Sequence, residues 1–359
     1  MTILVLLAAT VAASPGIAKK LIELGWDEPS ASWIRSHEAV VDRSPFDGVV
    51  MHLLLSRVPP NATSKSLGNN AFGPTAFTSD DVKSEVDALA SAKTPKLANS
   101  FMRLNVGAGE FDWFDRFASI EANATLTARA VCKAHLRGVF FDTEAYKAKP
   151  FLFRAQRDAA TKGWGPYSAQ AHQRGREVIA ALEKGCPGLT VFLTYAYALP
   201  YHALHSGQCS KLEDCAQGLL KPFLDGMLER ATGTTRFIDG DELAYGLRDE
   251  SQFQDEARKL RSELPAFSGK PDVFKERFSI ALPIFLDYKS KTQEWSETDE
   301  GKNYYSAAQL EQAVRGALGA TDEFVWVYTQ KPRFWTDDGV PTGMPLLYLR
   351  ALQRAKALQ

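Results

Sequence analysis

The chain has 359 residues, with 42 Lys or Arg against 43 Asp or Glu and a formal net charge of −1. Hydrophobic residues make up 45% and charged residues 24%, which excludes a disordered, collagen-like or low-complexity chain. With no excess of positive charge there is no field to gather nucleic-acid phosphates or an anionic membrane, so the expected partner is small, uncharged or held by local contacts.

Met1–Ala13 is an apolar run ending in small residues, and Val11-Ala12-Ala13 suits a signal peptidase. It is too short to span a bilayer, so no membrane insertion is expected. No Lys or Arg precedes it, and a first buried strand is the competing reading. Export to the outside or the periplasm would permit disulfides among Cys132, Cys186, Cys209 and Cys215. Cys209 and Cys215 flank a polar loop that a short bridge would restrain; the other two are left open. Two sequons, at Asn61 and Asn123, matter only in a glycosylating host.

Eight apolar, β-branched and aromatic runs follow in chain order, each ending in polar residues. They are Leu21–Gly25, Phe46–Leu54, Ser100–Val106, Gly138–Asp142, Thr190–Tyr195, Arg236–Gly240, Ser279–Asp287 and Glu323–Thr329. Helical spacing separates most of them, in Asp80–Ala92, Ser168–Lys184, Gln252–Leu264, Ala307–Leu318 and Gly343–Leu358. Strand, helix, strand in repetition predicts a parallel sheet. A doubly wound sheet shares that local pattern. Eight units, and no Gly-x-Gly-x-x-Gly after the first strand, favour an α/β fold of the (β/α)8 TIM-barrel type. No Pro-, Gly- or Ser-rich linker divides the chain. The expected organisation is a signal peptide over 1–13 and a single catalytic barrel over 17–359, with extended loops at Leu55–Thr78 and Tyr146–Tyr167.

In such a barrel, function gathers where the strands end. The fourth run ends Phe140-Phe141-Asp142-Thr143-Glu144, and alternation puts Phe140, Asp142 and Glu144 on one face. Two carboxyls at an apolar rim raise each other's pKa and prepare one for proton donation. Helix capping by Asp142 would be the purely structural role. The sixth run ends Asp239-Gly240-Asp241-Glu242, with Asp239 and Asp241 on one face; a turn with an N-cap describes it too. Candidate substrate-binding residues on other strand ends are Trp26, Asp27, His52, Tyr195, Tyr197, Asp287 and Tyr328, joined by Trp335 after the eighth strand. Aromatic faces stack on sugar rings, while carboxyl, imidazole and phenol groups bond ring hydroxyls.

An acidic and aromatic rim of this kind resembles the superfamily of (β/α)8 glycoside hydrolases. Phe140-Phe-Asp142-Thr-Glu144 resembles the chitinase-type Asp-x-Asp-x-Glu motif, with Phe140 in place of its first Asp. Carboxylates on strands four and six look more like the clan containing α-galactosidases, and that resemblance implies Asp142 as nucleophile with Asp239 or Asp241 as proton donor. The expectation is a glycosidase acting on a neutral or weakly charged glycan, using Asp142, Glu144, Asp239, Asp241 and Glu242. Glu144, projecting past the strand, would serve equally well as the acid. One alternative is a Mg2+ or Ca2+ site on Asp142, Glu144, Asp239 and Asp241, serving hydrolysis of a non-glycosidic bond. The other is a carbohydrate-binding barrel without catalysis. No cofactor is expected, because Gln330-Lys331-Pro332-Arg333 offers charge without a Gly-rich phosphate turn.

Overall fold

The computed structural model describes residues 18–60, 62, 64–107, 111–146, 148–289 and 294–357. The expected signal segment Met1–Ala13 and the sequon at Asn61 lie outside them. Nine strands are described: β1 (Lys20–Gly25), β2 (Gly48–Met51), β3 (Phe101–Asn105), β4 (Gly138–Asp142), β5 (Thr190–Leu193), β6 (Arg236–Asp239), β7 (Phe278–Ile280), β8 (Leu282–Phe285) and β9 (Phe324–Thr329). They pair in the order β7-β6-β5-β4-β3-β2-β1-β9-β8, and every pairing is parallel.

The two ends of that order are neighbours in the chain. β7 pairs with β6 (Ile238 beside Ser279) and β8 with β9 (Ile284 beside Val327), so they are two arms of one stave. Ala281 joins the arms and donates its N–H to Asp239 O at 2.9 Å. The next N–H on that side would belong to residue 283, which is proline and has none, so the ladder to β6 stops there. The ladder to β9 uses the other edge and continues as far as Leu286 N, 3.0 Å from Tyr328 O. Counted this way the sheet is an eight-stave closed barrel, and all eight predicted strand runs lie on its staves.

Each stave buries both faces, as a parallel barrel wrapped in helices requires. Ile22, Leu24, Val50, Phe101, Phe140, Phe192, Ile238, Ala281, Phe324 and Trp326 fill the interior. Phe192 packs edge-on to Phe101 (5.4 Å between centroids) and against Phe140 (4.9 Å), giving the barrel a solid aromatic floor. The residues between them, such as Val49, Val139, Phe141, Val191 and Phe237, face the helices.

The five predicted helices are present with shifted ends; the longest, Trp164–Gly185, starts inside the segment expected to be a loop. Ser306 begins Ala307–Ala320 with a capping box, donating N–H to Gln309 Oε1 at 2.9 Å and accepting from Gln309 N at 3.3 Å. Further helices, Ala118–Lys133 and Leu220–Arg230 among them, complete the outer layer. All four cysteines are bridged, Cys132 to Cys186 and Cys209 to Cys215. The Asn123 sequon is fully buried, its amide donating to Ala71 O and Thr75 O and its oxygen accepting from Phe77 N, so no glycan can attach there in the folded chain.

Helices Trp164–Gly185 and Leu220–Arg230 cross at paired glycines. A Cβ on Gly175 would sit 1.9 Å from Phe223 O, and one on Gly226 would sit 1.9 Å from His172 O. Contact with backbone leaves no flexible atom to give way. Gly226→Ala is therefore expected to cost about 1–3 kcal/mol, as overpacking does, read as a lower melting temperature with unchanged far-UV circular dichroism.

Candidate active site

The residues that continue the inward-facing rows past the strand ends build the barrel mouth. Ile22 and Leu24 lead to Trp26 and Glu28, Val50 to His52, Phe101 to Arg103, Phe140 to Asp142 and Glu144, and Trp326 to Tyr328. Arg103 is the hub. Its guanidinium donates to Glu28 Oε2 at 2.8 Å and to Asp142 Oδ2, and His52 Nδ1 lies 3.5 Å from Glu28 Oε1. Burial opposes charge on Arg103, but Glu28 and Asp142 outweigh it and hold its pKa well above the ordinary value. Burial likewise works to raise Glu28, and Arg103 with His52 brings it below the usual carboxylate range.

Asp142 accepts three donors: Arg103, Glu144 N–H at 3.0 Å and the Tyr146 hydroxyl at 2.9 Å. The same hydroxyl lies 2.5 Å from Glu144 Oε2. Its single hydrogen is shared between the two carboxyls, which ties Glu144 to Asp142. Burial, then the charge of Asp142, raises Glu144 above its ordinary pKa.

Glu242 approaches from the opposite wall. Gly240 carries the chain over the rim, where a Cβ would lie 2.5 Å from Leu193 O, and Asp241 follows in the left-handed conformation (φ 41°, ψ 54°). That turn swings Glu242 back over the mouth, against Glu144, Tyr195 and Tyr245. Burial pushes its carboxyl well up, with Glu144 and Asp142 adding to the effect, and Oε2 is buried without a hydrogen-bond partner. Glu144 and Glu242 thus face each other over the mouth. Burial and the adjacent carboxyls keep Tyr195 and Tyr245 in their protonated, donating forms.

The remaining wall is aromatic. Tyr245 stacks on Tyr328 (5.5 Å) and meets Phe285 edge-on (4.9 Å). Tyr328 OH accepts from Trp26 Nε1 at 2.8 Å and from Gln330 Nε2 at 3.2 Å, and Trp26 is 62% exposed. Beside the acidic hub a cavity of about 310 Å³ opens between Trp26, Glu28, His52, Lys65, Asn69 and Arg103.

Of the residues singled out in the sequence, the fold brings together Trp26, His52, Asp142, Glu144, Tyr195, Glu242 and Tyr328. It does not bring in Asp239 or Asp241. Both continue the row of Phe237, which faces the helices. Asp239 accepts from the backbone N–H groups of Ala196 (3.2 Å), Ala198 (2.9 Å) and Asp241 (3.2 Å), fixing the start of helix Ala198–His205. A nucleophile and acid pair of Asp142 with Asp239 or Asp241 is thus separated by the barrel wall, and so is the four-carboxylate metal set. Tyr197 is buried among Phe274 and Phe278 and donates to Asp225 at 2.8 Å, because the chain bends after Leu193 and ends the alternation.

Three other candidates support the mouth from outside it. Asp27 accepts from Phe334 N and Trp335 N, and Asp287 from Gln330 N and Lys331 N, both at 2.9 Å. Trp335 is no open platform: its indole donates to buried Glu23 and packs near Trp33 and Phe46. Sequence reasoning passed over Glu28, Arg103, Tyr146 and Tyr245. Arg103 carried a visible signal, as the lone charge in Phe-Met-Arg-Leu-Asn.

Removing the hub tests its weight. Arg103→Met strands Glu28 and Asp142 without a cation, and loss of one partner from a buried pair costs about 3–5 kcal/mol. The expected result is a melting temperature many degrees lower at neutral pH, partly restored in mild acid, where the stranded carboxyls take up protons.

No family model matches the chain, and no curated protein matches it. Among solved structures it is similar to an endocellulase from Pyrococcus horikoshii (9% identity, 95% of this chain and 92% of that one, TM-score 0.44). It is likewise similar to a GH5-4 broad-specificity endoglucanase from an uncultured bacterium (12%, 92% and 86%, TM-score 0.46) and a Thermobacillus composti GH10 xylanase (8%, 94% and 97%, TM-score 0.46). The barrel is established by the strand order itself.

Proposed function

We propose that the protein is a glycoside hydrolase whose acid pair is Glu144 and Glu242. The observation that carries this reading is the meeting of those two carboxyls, from the ends of β4 and β6, over an open mouth walled on one side by Trp26, Tyr245 and Tyr328. Aromatic faces suit the apolar faces of sugar rings. Three further carboxylate-bearing or phenolic neighbours, Asp142, Glu28 and Tyr195, suit ring hydroxyls and disfavour anionic sugars, so the substrate is a neutral glycan.

Glycosidic cleavage needs one carboxyl that gives a proton and one that receives the anomeric carbon or activates water. The retaining route, in which the second carboxyl is itself the nucleophile, suits two carboxyls that face each other directly. Glu144, on the open side and joined to Tyr146, protonates the leaving oxygen as its bond to the anomeric carbon breaks. One proton serves the two carboxyls: carried by Glu144 it leaves Glu242 ionised, and Glu242 forms the ester bond to that carbon. Glu144 next takes a proton from water, whose oxygen displaces Glu242 and releases the sugar. Asp142, fixed by Arg103, holds Glu144 through its backbone N–H and Tyr146.

Export is part of the same proposal. The Met1–Ala13 pattern supports it, as do two disulfides, which persist in oxidising compartments. Among the described residues no helix is long and apolar enough to cross a membrane.

The test is a screen of neutral polysaccharides and aryl glycosides with product analysis, followed by Glu144→Gln and Glu242→Gln. Each variant is expected to lower kcat by about 10²–10⁴ with little change in melting temperature. A wild-type protein that binds glycans without cleaving any, and binds equally well in both variants, would establish the binding-barrel alternative instead. The pH profile has a fixed sign. Glu144 acts protonated and its pKa is raised, so activity persists above the usual carboxyl range and falls as pH rises through the raised value. Glu144→Gln should abolish that alkaline limb, measured as kcat/KM against pH.

A further inference from the structure

We propose that His202, Asp241 and Glu256 form a divalent-metal site on the outer side of the barrel, behind the wall that carries Glu242. The proposal does not depend on the reaction at the mouth. Asp241 is fully buried, and neither of its carboxylate oxygens has a hydrogen-bond partner. An unpaired buried carboxylate costs several kcal/mol unless something compensates it. Asp241 also occupies the left-handed region (φ 41°), an uncommon place for a residue with a side chain. Backbone strain and an unmet carboxylate thus coincide at one residue.

Asp241 points at the two groups that would meet its need. One ligand atom each from His202, Asp241 and Glu256 lie within 4.8 Å of one another. His202 comes from helix Ala198–His205 and Glu256 from helix Glu250–Phe267, and His202 Nε2 is already 2.9 Å from Glu256 Oε1. The other imidazole nitrogen, Nδ1, is 3.2 Å from Lys259 Nζ, an exposed and flexible ammonium that can turn to water. Asp239 is no competitor, since three backbone N–H groups already occupy it. Two carboxylates and Lys259 leave one net negative charge, so a doubly charged cation is favoured.

The donor set selects the ion. One imidazole nitrogen and two carboxylate oxygens, with water as a fourth ligand, suit a tetrahedral Zn2+ with bonds of ~2.0–2.2 Å. Ca2+ would seek six to eight oxygens and Mg2+ an octahedron, and three side chains supply neither. Small side-chain movements bring the three atoms to the ~3.4 Å spacing that such bonds imply. The ion would pin the Gly240–Glu242 turn to two outer helices.

The test uses the full chain, stripped with chelator and titrated with ZnCl2 by calorimetry and thermal melting. One equivalent of Zn2+ is expected to bind, raising the melting temperature by several degrees. Co2+ in its place should give the visible absorption of a four-coordinate site. Asp241→Asn and His202→Ala should each lower Zn2+ affinity at least tenfold and remove the thermal shift. Glu256→Gln, on a helix surface, supplies the same comparison should either of those fail to fold. Absence of binding to the wild-type chain overturns the site, as does binding that survives in the variants, which would put the ion elsewhere.

Discussion

Closure of the barrel imposes the constraint from which the site follows. In a closed parallel sheet each side chain has only two directions, into the barrel or out toward the helices, and alternate residues take opposite ones. The inward rows meet as an aromatic layer around Phe140, Phe192 and Trp326 and have nowhere to continue except the mouth. Whatever chemistry those rows carry past the last apolar residue must converge. The outward rows end against helices, where a carboxylate becomes a cap, like Asp239, or a brace, like Asp27 and Asp287.

Within the mouth, charge is organised by one cation. Arg103 stands between Glu28 and Asp142 and compensates both, allowing acidic groups from β1 and β4 to crowd together. Glu144 and Glu242 lie beyond its direct hydrogen bonds. The separation is useful: carboxyls bound to the guanidinium are held as fixed acceptors, while those past it retain a proton to move. Tyr146 links the two sets, with its hydroxyl reaching both Asp142 and Glu144.

The sequence carried the barrel well and the site in part. Staves were legible because both faces are apolar, which leaves unbroken runs such as Gly138–Asp142 and Phe324–Thr329. The same property hid their orientation. Nothing in Arg-Phe-Ile-Asp says whether Phe237 or Ile238 looks inward, so Asp239 was assigned to the mouth although it belongs to the helix side. Asp142 and Glu144 fall in one row with Phe140, since the extended chain persists past it. Tyr197 failed because a bend after Leu193 breaks the period, and Tyr245 escaped notice because a single helical turn brings it back. The helix Ala118–Lys133 is rich in Ala and Thr, and its small residues give little contrast between buried and exposed positions.

The stave split at Pro283 has a structural consequence at the reacting centre. Where that imino nitrogen withholds a donor, the hoop of hydrogen bonds around the barrel is interrupted, between β6 and β8. The short helix Glu242–Gly246 settles over that joint, with Tyr245 resting on Phe285 and the Trp326 indole donating to Gly240 O at 2.9 Å. A seam in the cask thus lies beneath one of its two acids.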